Sequence, residues 1–217
     1  MKDVSSGPPL TPDLLVRAYA AGIFPMADDA DDPDVFWVDP RHRGVLPMDR
    51  FHVSRSLRRS ILSGRWSWTA NAAFAQVLDG CAARDTTWMN APIRDAMLAL
   101  FEAGVAHSQE VWRDGVLAGG VYGVALGGAF FGESMFSARR DGSKVALAVL
   151  TRRLLDAGFV LFDTQFVTPH LLTLGAEEIT RDAYRAHLAQ ALRIGAHLDD
   201  SAAPTPQEVV QRRTQTS

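Results

Sequence analysis

The sequence of 217 residues predicts an α+β protein in which a mixed central sheet is flanked by helices. Two apolar runs rich in Val, Tyr and Phe flank the Gly127-Gly128 dipeptide, a pattern typical of a β-hairpin whose turn needs positive φ. Segments with apolar residues at helical spacing lie before and after this hairpin. We therefore expect the hairpin, residues 117–137, to lie in the middle of a sheet that helices cover.

Composition limits the class of protein. A chain that is 47% hydrophobic and 22% charged has room for one large globular domain and a smaller one. The single cysteine, Cys81, excludes an internal disulfide framework and fits a reducing compartment. Residues 1–12 lack the apolar core of a signal peptide, and no run approaches the roughly 18 apolar residues of a membrane span. We expect a cytoplasmic protein whose net charge of −3 does not by itself indicate a nucleic-acid partner.

Cap and turn residues mark the elements around the hairpin. Thr11 begins a helix over about residues 12–21, and Asn71 and Asn90 are predicted to cap two more. Alternation predicts a strand over residues 107–112, and Asp114-Gly115 then indicates a tight turn.

The elements after the hairpin follow from the same signals. Ser143 is predicted to cap a helix, and residues 159–165 are predicted to form a buried strand. A short helix from Thr168 and an amphipathic helix over residues 181–193 come next. The tail from residue 195 is expected to be loose.

A basic face is predicted on the helix that follows Arg50. Arg55, Arg58 and Arg59 fall at i, i+3 and i+4 beside an apolar side that includes Leu57. Such a face is more often merely solvated, but guanidinium groups on a fixed helix also suit phosphate contacts.

Three polar residues in apolar surroundings are candidates for chemistry. Glu133 follows Gly132 among aromatic residues, where a carboxylate is costly to bury unless it faces water or meets a partner. Asp163 and Gln165 lie at i and i+2 near the carboxyl end of one strand, so both point to one face, where ligands of open sheets collect. On pattern alone, such a pair is as often a structural hydrogen-bonding pair.

Five sequence blocks together resemble the bacterial leucyl/phenylalanyl-tRNA-protein transferase family. They are residues 19–26, 107–112, 119–124, 131–137 and 162–165. The resemblance covers about residues 11–190 and implies an N-acetyltransferase-like (GNAT) fold for residues 85–194. A small N-terminal domain, residues 1–84, would precede it, and residues 195–217 would form a flexible tail.

The resemblance implies an activity and its partners. The family moves Leu, Phe or Met from aminoacyl-tRNA to the N-terminal Arg or Lys of acceptor proteins, which marks them for degradation. Because the donor ester is already activated and no His, Cys and carboxylate cluster has ligand spacing, we expect neither metal nor cofactor. A monomer is expected.

The resemblance also implies roles for the three candidates. An α-amine has a pKa of about 7.7 to 8.0, so positioning should dominate over strong base catalysis. The carbonyl of Gln165 would accept a hydrogen bond from the amine and aim it. Asp163 would orient Gln165 and stabilise positive charge on nitrogen, while Glu133 would help hold the amine or a cationic acceptor side chain.

Two further sets of residues follow from the resemblance. The slot for the transferred side chain would be formed by residues that could equally be plain core: Trp37, Val121, Phe130, Leu147, Leu150, Leu154 and Phe162. The tRNA contacts would come from Trp88, Arg55, Arg58, Arg59, Arg139, Arg140 and Lys144. Two positions depart from the family pattern: Gly142 replaces a usual alanine, and Phe36-Trp37 replaces a usual Trp-Trp.

Three other functions remain open on sequence. A coenzyme-A-dependent N-acetyltransferase would share the expected fold, although Lys144 occupies a place where its phosphate loop needs a small residue. A glycosidase could use Glu133 and Asp163 as its carboxylate pair. An RNA-binding module would account for the arginines but not for Glu133 among glycines.

Overall fold

The computed structural model describes residues 10–83, 88–199 and 203–211, and it confirms the mixed α+β class. The helices are α1 (Pro12–Ala20), α2 (Arg55–Ile61), α3 (Phe74–Ala82), α4 (Ala91–Glu102), α5 (Gly142–Asp156), α6 (Pro169–Leu172), α7 (Arg181–Ala191) and α8 (Pro206–Val210). The strands are β1 (Phe24–Met26), β2 (Phe36–Val38), β3 (His42–Val45), β4 (Ser67–Ala70), β5 (Ala106–Arg113), β6 (Val116–Leu126), β7 (Ala129–Ser137), β8 (Leu161–Gln165) and β9 (Glu177–Thr180). Among these described helices, none is long and apolar enough to cross a membrane.

A seven-stranded sheet runs in the order β4-β5-β6-β7-β8-β3-β9. The predicted hairpin, β6 and β7, lies at its centre, and β7 pairs with β8 in parallel while the other neighbours are antiparallel. Strands β1 and β2 form a separate two-stranded sheet. One buried apolar cluster contains α5, and a second contains residues of α1, α3, α4 and α7.

Two strands from the N-terminal part of the chain belong to the large sheet. Strand β4 pairs with β5 at one edge, and β3 lies between β8 and β9 near the other. Residues on both sides of the expected boundary at position 84 therefore build one sheet, so the sheet does not separate the expected N-terminal domain from the rest.

Backbone crowding favours glycine at position 142 of this chain, where the family pattern usually has alanine. A Cβ on Gly119 would lie 2.6 Å from the carbonyl carbon of Gly142, and a Cβ on Gly142 would collide with the carbonyl oxygen of Ala118. The start of α5 and strand β6 thus approach so closely that a Cβ at either glycine would require the backbone to shift.

Two predicted helix caps are wrong because the side chains bind elsewhere or lie inside the helix. Asn71 adopts a left-handed φ of 56°, and its Oδ1 accepts a hydrogen bond from the backbone N–H of Ser108. Helix α3 begins at Phe74 without a side-chain cap. Ser143 lies within α5, whose N-cap is Asp141 at φ 71°.

The tail expected to be loose contains an ordered segment. Thr205 and Glu208 form a capping box at the start of α8, and Val209 is buried against the cluster that contains α5. The indole Nε1 of Trp68 donates to the carbonyl of Pro204 at 3.0 Å. The expectation therefore does not hold for residues 203–211.

Candidate active site

The site lies where β7 and β8 separate. The two strands pair in parallel from Ala129 to Phe131 on β7, and the pairing ends at Asp163 on β8. The register between β6 and β7 shifts just beyond this point, because Gly123 is opposite Gly132 whereas Tyr122 is opposite Ser134. Glu133 is the extra residue of this β-bulge, a device that redirects a side chain next to a site.

Glu133 is a buried carboxylate with one oxygen left open. Its Oε1 accepts hydrogen bonds from the hydroxyl of Tyr19 at 2.9 Å and from Nε2 of Gln165 at 2.7 Å. Its Oε2 is buried and has no hydrogen-bond partner among the described residues. Burial raises the pKa of Glu133 to about 8, and the charge of Asp163 acts in the same direction. A donor or cation from a bound molecule would complete this carboxylate.

Gln165 ends β8 in an unusual conformation. Its φ of 62° is left-handed, which costs on the order of 1 to 2 kcal/mol for a residue other than glycine. Its backbone N–H donates to Oδ1 of Asp163 at 2.7 Å. Because Nε2 is already engaged by Glu133, the side-chain carbonyl oxygen of Gln165 is the atom that remains to accept a hydrogen bond.

Asp163 is fully buried and its charge is already paired. Arg43 donates from Nη2 to Oδ2 at 2.6 Å and from Nε to Oδ1 at 2.9 Å. The hydroxyl of Tyr184 also donates to Oδ2, at 2.7 Å. With the N–H of Gln165 on Oδ1, each carboxylate oxygen of Asp163 accepts at least two hydrogen bonds. Asp163 is therefore saturated by the fold itself.

Arg43, Tyr19 and Tyr184 are the residues that sequence reasoning missed. Arg43 is 1% exposed although it lies in a short strand with little apolar pattern. The signal available was indirect, because a buried Asp163 requires a cation and Arg43 is one of several arginines that could supply it. Tyr19 begins the first of the five sequence blocks that carry the resemblance, but no role was predicted for it.

An open cleft of about 700 Å³ lies at the C-terminal end of β7, near the starts of α5 and α6. It is lined by Gly80, Ala83, Met135, Phe136, Ser137, Ala138, Ser143, Thr168 and His170. Met135 is two residues after Glu133, and Thr168 is three after Gln165, so two of the lining residues follow the site closely in the chain, although neither Glu133 nor Gln165 lines the cleft. Burial lowers the pKa of His170, and the charge of Lys144 acts in the same direction.

The structure separates the residues expected to form the amino-acid slot. Six of the seven pack in the cluster that contains α5 and are at most 3% exposed: Val121, Phe130, Leu147, Leu150, Leu154 and Phe162. Trp37 instead lies on β2 and is 39% exposed. None of the seven lines the cleft, although Met135, which does, packs against the same cluster.

The residues expected to contact tRNA lie in three places. Arg55, Arg58 and Arg59 are exposed on α2, whose Leu57 is buried as predicted, together with Ile61. Residues 139–140 are exposed in the turn before α5, and Lys144 lies in its first turn. Trp88 is partly buried against the cluster that contains α1.

A second glutamate is buried on the other side of β6. Glu110 on β5 is fully buried, and its Oε2 accepts hydrogen bonds from the hydroxyl of Thr69 at 2.7 Å and from the N–H of Ala72 at 3.4 Å. Its Oε1 accepts a hydrogen bond from the hydroxyl of Ser108. Both oxygens are thus used by neighbouring residues.

Two family models match the chain. The model described as leucyl/phenylalanyl-tRNA protein transferase matches residues 45–189. The model described as the N-terminal domain of the same transferase matches residues 9–41. Together they span most of the residues on which the site is built.

Curated relatives bear the same name at high identity. A leucyl/phenylalanyl-tRNA–protein transferase of Dinoroseobacter shibae is 59% identical over 209 residues, which cover 96% of this chain and 93% of the relative. One from Jannaschia sp. is 60% identical over 189 residues, covering 87% of this chain and 89% of the relative. One from Ruegeria sp. strain TM1040 is 56% identical over 208 residues, covering 96% and 99%.

A solved structure shares the fold. The crystal structure of FemX matches with a TM-score of 0.52 at 12% sequence identity, over 77% of this chain and 66% of that one. At this identity the similarity concerns the arrangement of strands and helices alone.

Proposed function

The chain belongs to the leucyl/phenylalanyl-tRNA protein transferase family, and from that premise we propose how its site works. It is an aminoacyltransferase that moves an amino acid from aminoacyl-tRNA to the N-terminus of a protein. We further propose that the amino acid transferred is Leu, Phe or Met and that the acceptor residue is an N-terminal Arg or Lys. The observation that carries the proposal is the open Oε2 of buried Glu133 beside Gln165.

The acceptor amine binds between Gln165 and Glu133. The carbonyl oxygen of Gln165 accepts one N–H and fixes the direction of the nitrogen lone pair. The Oε2 atom of Glu133 accepts another, which satisfies the buried oxygen that the fold leaves open.

Glu133 is also suited to take the first proton. Its pKa of about 8 is close to the 7.7 to 8.0 of an α-amine, so transfer from ammonium to carboxylate is nearly balanced. The neutral nitrogen then bonds to the ester carbonyl carbon, and the bond from that carbon to the ribose oxygen breaks. The leaving oxygen takes the second amine proton, and Glu133 returns the first to solvent.

Of the two roles expected for Asp163, orienting Gln165 and stabilising charge on the amine, we propose only the first. Because Arg43 already neutralises it, Asp163 contributes little to stabilising charge on the amine. It holds the backbone N–H of Gln165 instead. Before the proton transfer, the positive charge of the ammonium group is met by the Glu133 carboxylate.

The donor binds along the cleft. An apolar amino-acid side chain fits against Met135 and Phe136 on one wall. Arg139, Arg140 and Lys144 lie at the α5 end, where phosphates of the tRNA 3′ end would pass. The exposed arginines of α2 extend the contact, and Trp88 offers a ring for base stacking. If the transferred side chain bound among the six buried residues of the cluster that contains α5, those side chains would have to move to make room for it.

Three expectations about fold type, oligomeric state and location belong to the same proposal. The parallel β7 and β8, which separate at the site before α5 begins, suggest the N-acetyltransferase-like arrangement. We also propose a monomer that works in the cytoplasm, where charged tRNA is available. No cofactor is assigned.

A transfer assay tests the function. The protein is incubated with radiolabelled Leu-tRNA or Phe-tRNA and a peptide with N-terminal Arg. Label should enter this peptide but not the same peptide acetylated at its N-terminus. Labelled acetyl-coenzyme A serves as the competing donor, and labelling from it rather than from aminoacyl-tRNA would contradict the proposal.

A further inference from the structure

The guanidinium of Arg43 is fixed on every side. Its Nε and Nη2 bind Asp163, and its Nη1 donates to the carbonyl of Gly22 at 3.0 Å. The rings of Phe24 and Tyr184 lie 4.4 and 4.6 Å from its central carbon, so aromatic faces cover the cation. A buried arginine held this firmly fixes the positions of the groups it binds, and these groups in turn position the residues that they contact.

Its partners lead to one atom by two routes. Asp163 accepts the N–H of Gln165, whose Nε2 donates to Oε1 of Glu133. Gly22 closes the turn after α1 through its N–H to the carbonyl of Tyr19, and the hydroxyl of Tyr19 donates to the same Oε1. The route through Asp163 ends on Gln165 itself, whereas the route through Gly22 reaches only the backbone of Tyr19, so the orientation of Gln165 is the contact that depends most directly on Arg43.

We infer that Arg43 is a positioning residue for transfer: it orients Gln165 through Asp163 and so aims the acceptor amine, without touching either substrate. This inference rests on the proposed function of Gln165. The left-handed backbone of Gln165 needs such support, because an isolated glutamine rarely adopts it.

Arg43→Lys tests the inference. Lysine keeps the positive charge but cannot make the two-pronged donation to Asp163 together with the bond to Gly22. The maximal transfer rate per folded molecule should fall about 10- to 30-fold, while KM for aminoacyl-tRNA changes less than about threefold. The same substitution in a Gln165→Ala background should lower the rate less than about twofold, since Gln165 is no longer there to be oriented.

Arg153→Lys is the matched control. Arg153 is another buried arginine, on α5, and it donates to Oε1 of Gln109 and to the carbonyl of Asp199. The variant should lose thermal stability but keep the wild-type rate per folded molecule. If Arg43→Lys behaved like this control, Arg43 would be merely structural and the inference would be overturned.

Two further measurements keep the test decisive. An effect of Arg43→Lys that is equally large with and without Gln165 would also contradict the inference. If Arg43→Lys does not fold, Tyr184→Phe can replace it, because this variant removes one hydrogen bond to Asp163 and keeps the ring. A two- to fivefold loss of transfer rate that disappears in the Gln165→Ala background would support the inference. An unchanged transfer rate would contradict it. Absence of transfer by the wild type would instead contradict the proposed function.

Discussion

Glu110 and Glu133 lie on the two strands that flank β6, and both are buried, but the hydrogen bonding of their carboxylates differs. Each oxygen of Glu110 accepts hydrogen bonds from residues of β4, β5 or the loop before α3. Among the described residues, Glu133 has donors on one oxygen and none on the other. A buried carboxylate whose oxygens both accept hydrogen bonds from the protein stabilises the fold. A buried carboxylate with an oxygen that lacks a donor can bind a donor from a substrate.

Gln165→Ala should have the largest effect on activity, because it removes the acceptor that aims the amine beside Glu133. Loss of alignment costs about a hundredfold in rate. We expect kcat to fall by at least that factor while the dissociation constant of aminoacyl-tRNA changes little, as measured by single-turnover kinetics and filter binding. Gln109→Ala, beside Glu110, is the control and should leave kcat per folded molecule unchanged. Equal losses in kcat and tRNA affinity would contradict the assigned role.

Glu133→Gln should lower kcat/KM for the acceptor about 10- to 100-fold. A charge-assisted hydrogen bond contributes roughly 1.5 to 3 kcal/mol, and each 1.4 kcal/mol corresponds to a factor of about ten. Affinity for aminoacyl-tRNA should stay the same, since the acceptor alone uses Oε2. Steady-state kinetics with a peptide of N-terminal Arg measures this effect. An unchanged kcat/KM would place the amine elsewhere.

Glu110→Gln should show the opposite pattern. Both oxygens of Glu110 accept hydrogen bonds, so the NH₂ group of glutamine would face a donor instead of an acceptor. The lost hydrogen bond costs roughly 1 to 3 kcal/mol of stability. For a chain of this size that lowers Tm by about 2 to 4 °C per kcal/mol. Calorimetry and the transfer assay together should find reduced stability with normal kcat/KM per folded molecule. A selective loss of activity would break the contrast between the two glutamates.

Replacing Arg55, Arg58 and Arg59 by Ala should weaken tRNA binding without involving either glutamate. Removing one phosphate contact reduces the slope of log affinity against log salt by roughly one unit. The slope should therefore become shallower, while Arg17→Ala with Arg193→Ala, two arginines elsewhere on the surface, leaves it unchanged. Filter binding from low to moderate salt gives the slope. If both sets of variants gave the wild-type slope, the face of α2 would be only solvated.

The last expected effect is on the pH dependence of stability and not on activity. Glu133 has a pKa of about 8 when folded and about 4.5 when unfolded, so the folded protein binds its proton more tightly between these values. Its stabilising contribution is complete below about pH 4.5 and declines as pH rises to about 8, by at most about 1.4 kcal/mol per pH unit. Glu133→Gln lacks this decline. Tm should therefore fall less between pH 5 and 8 in the variant than in the wild type, and parallel curves would contradict the raised pKa.

Long elements with strong local signals could be predicted from the sequence. The central hairpin has two apolar runs around a glycine pair, and its strands, β6 and β7, lie where expected. The short strands β1, β3, β4 and β9 have three or four residues each, too few for alternation to stand out. Their pairing is decided by partners far along the chain.

The site was predictable in the same uneven way. Glu133, Asp163 and Gln165 were found because they interrupt apolar strands, and they do converge. Arg43 was not found, because the reason for its burial is a carboxylate 120 positions later. The cap prediction at Asn71 failed for a related reason, since a local rule cannot see that Asn71 binds the backbone of β5.

The position of β3 affects how the protein is made. Residues 42–45 are synthesised early, yet they pair with residues 163–165 and 177–180, which leave the ribosome much later. Until then Arg43 has no Asp163, and closing such a long loop is slow. A nascent chain that stops before β8 therefore has neither the ion pair nor Gln165. An incomplete copy that lacks β8 also lacks two of the three residues of the proposed site, and we expect it not to acylate other proteins.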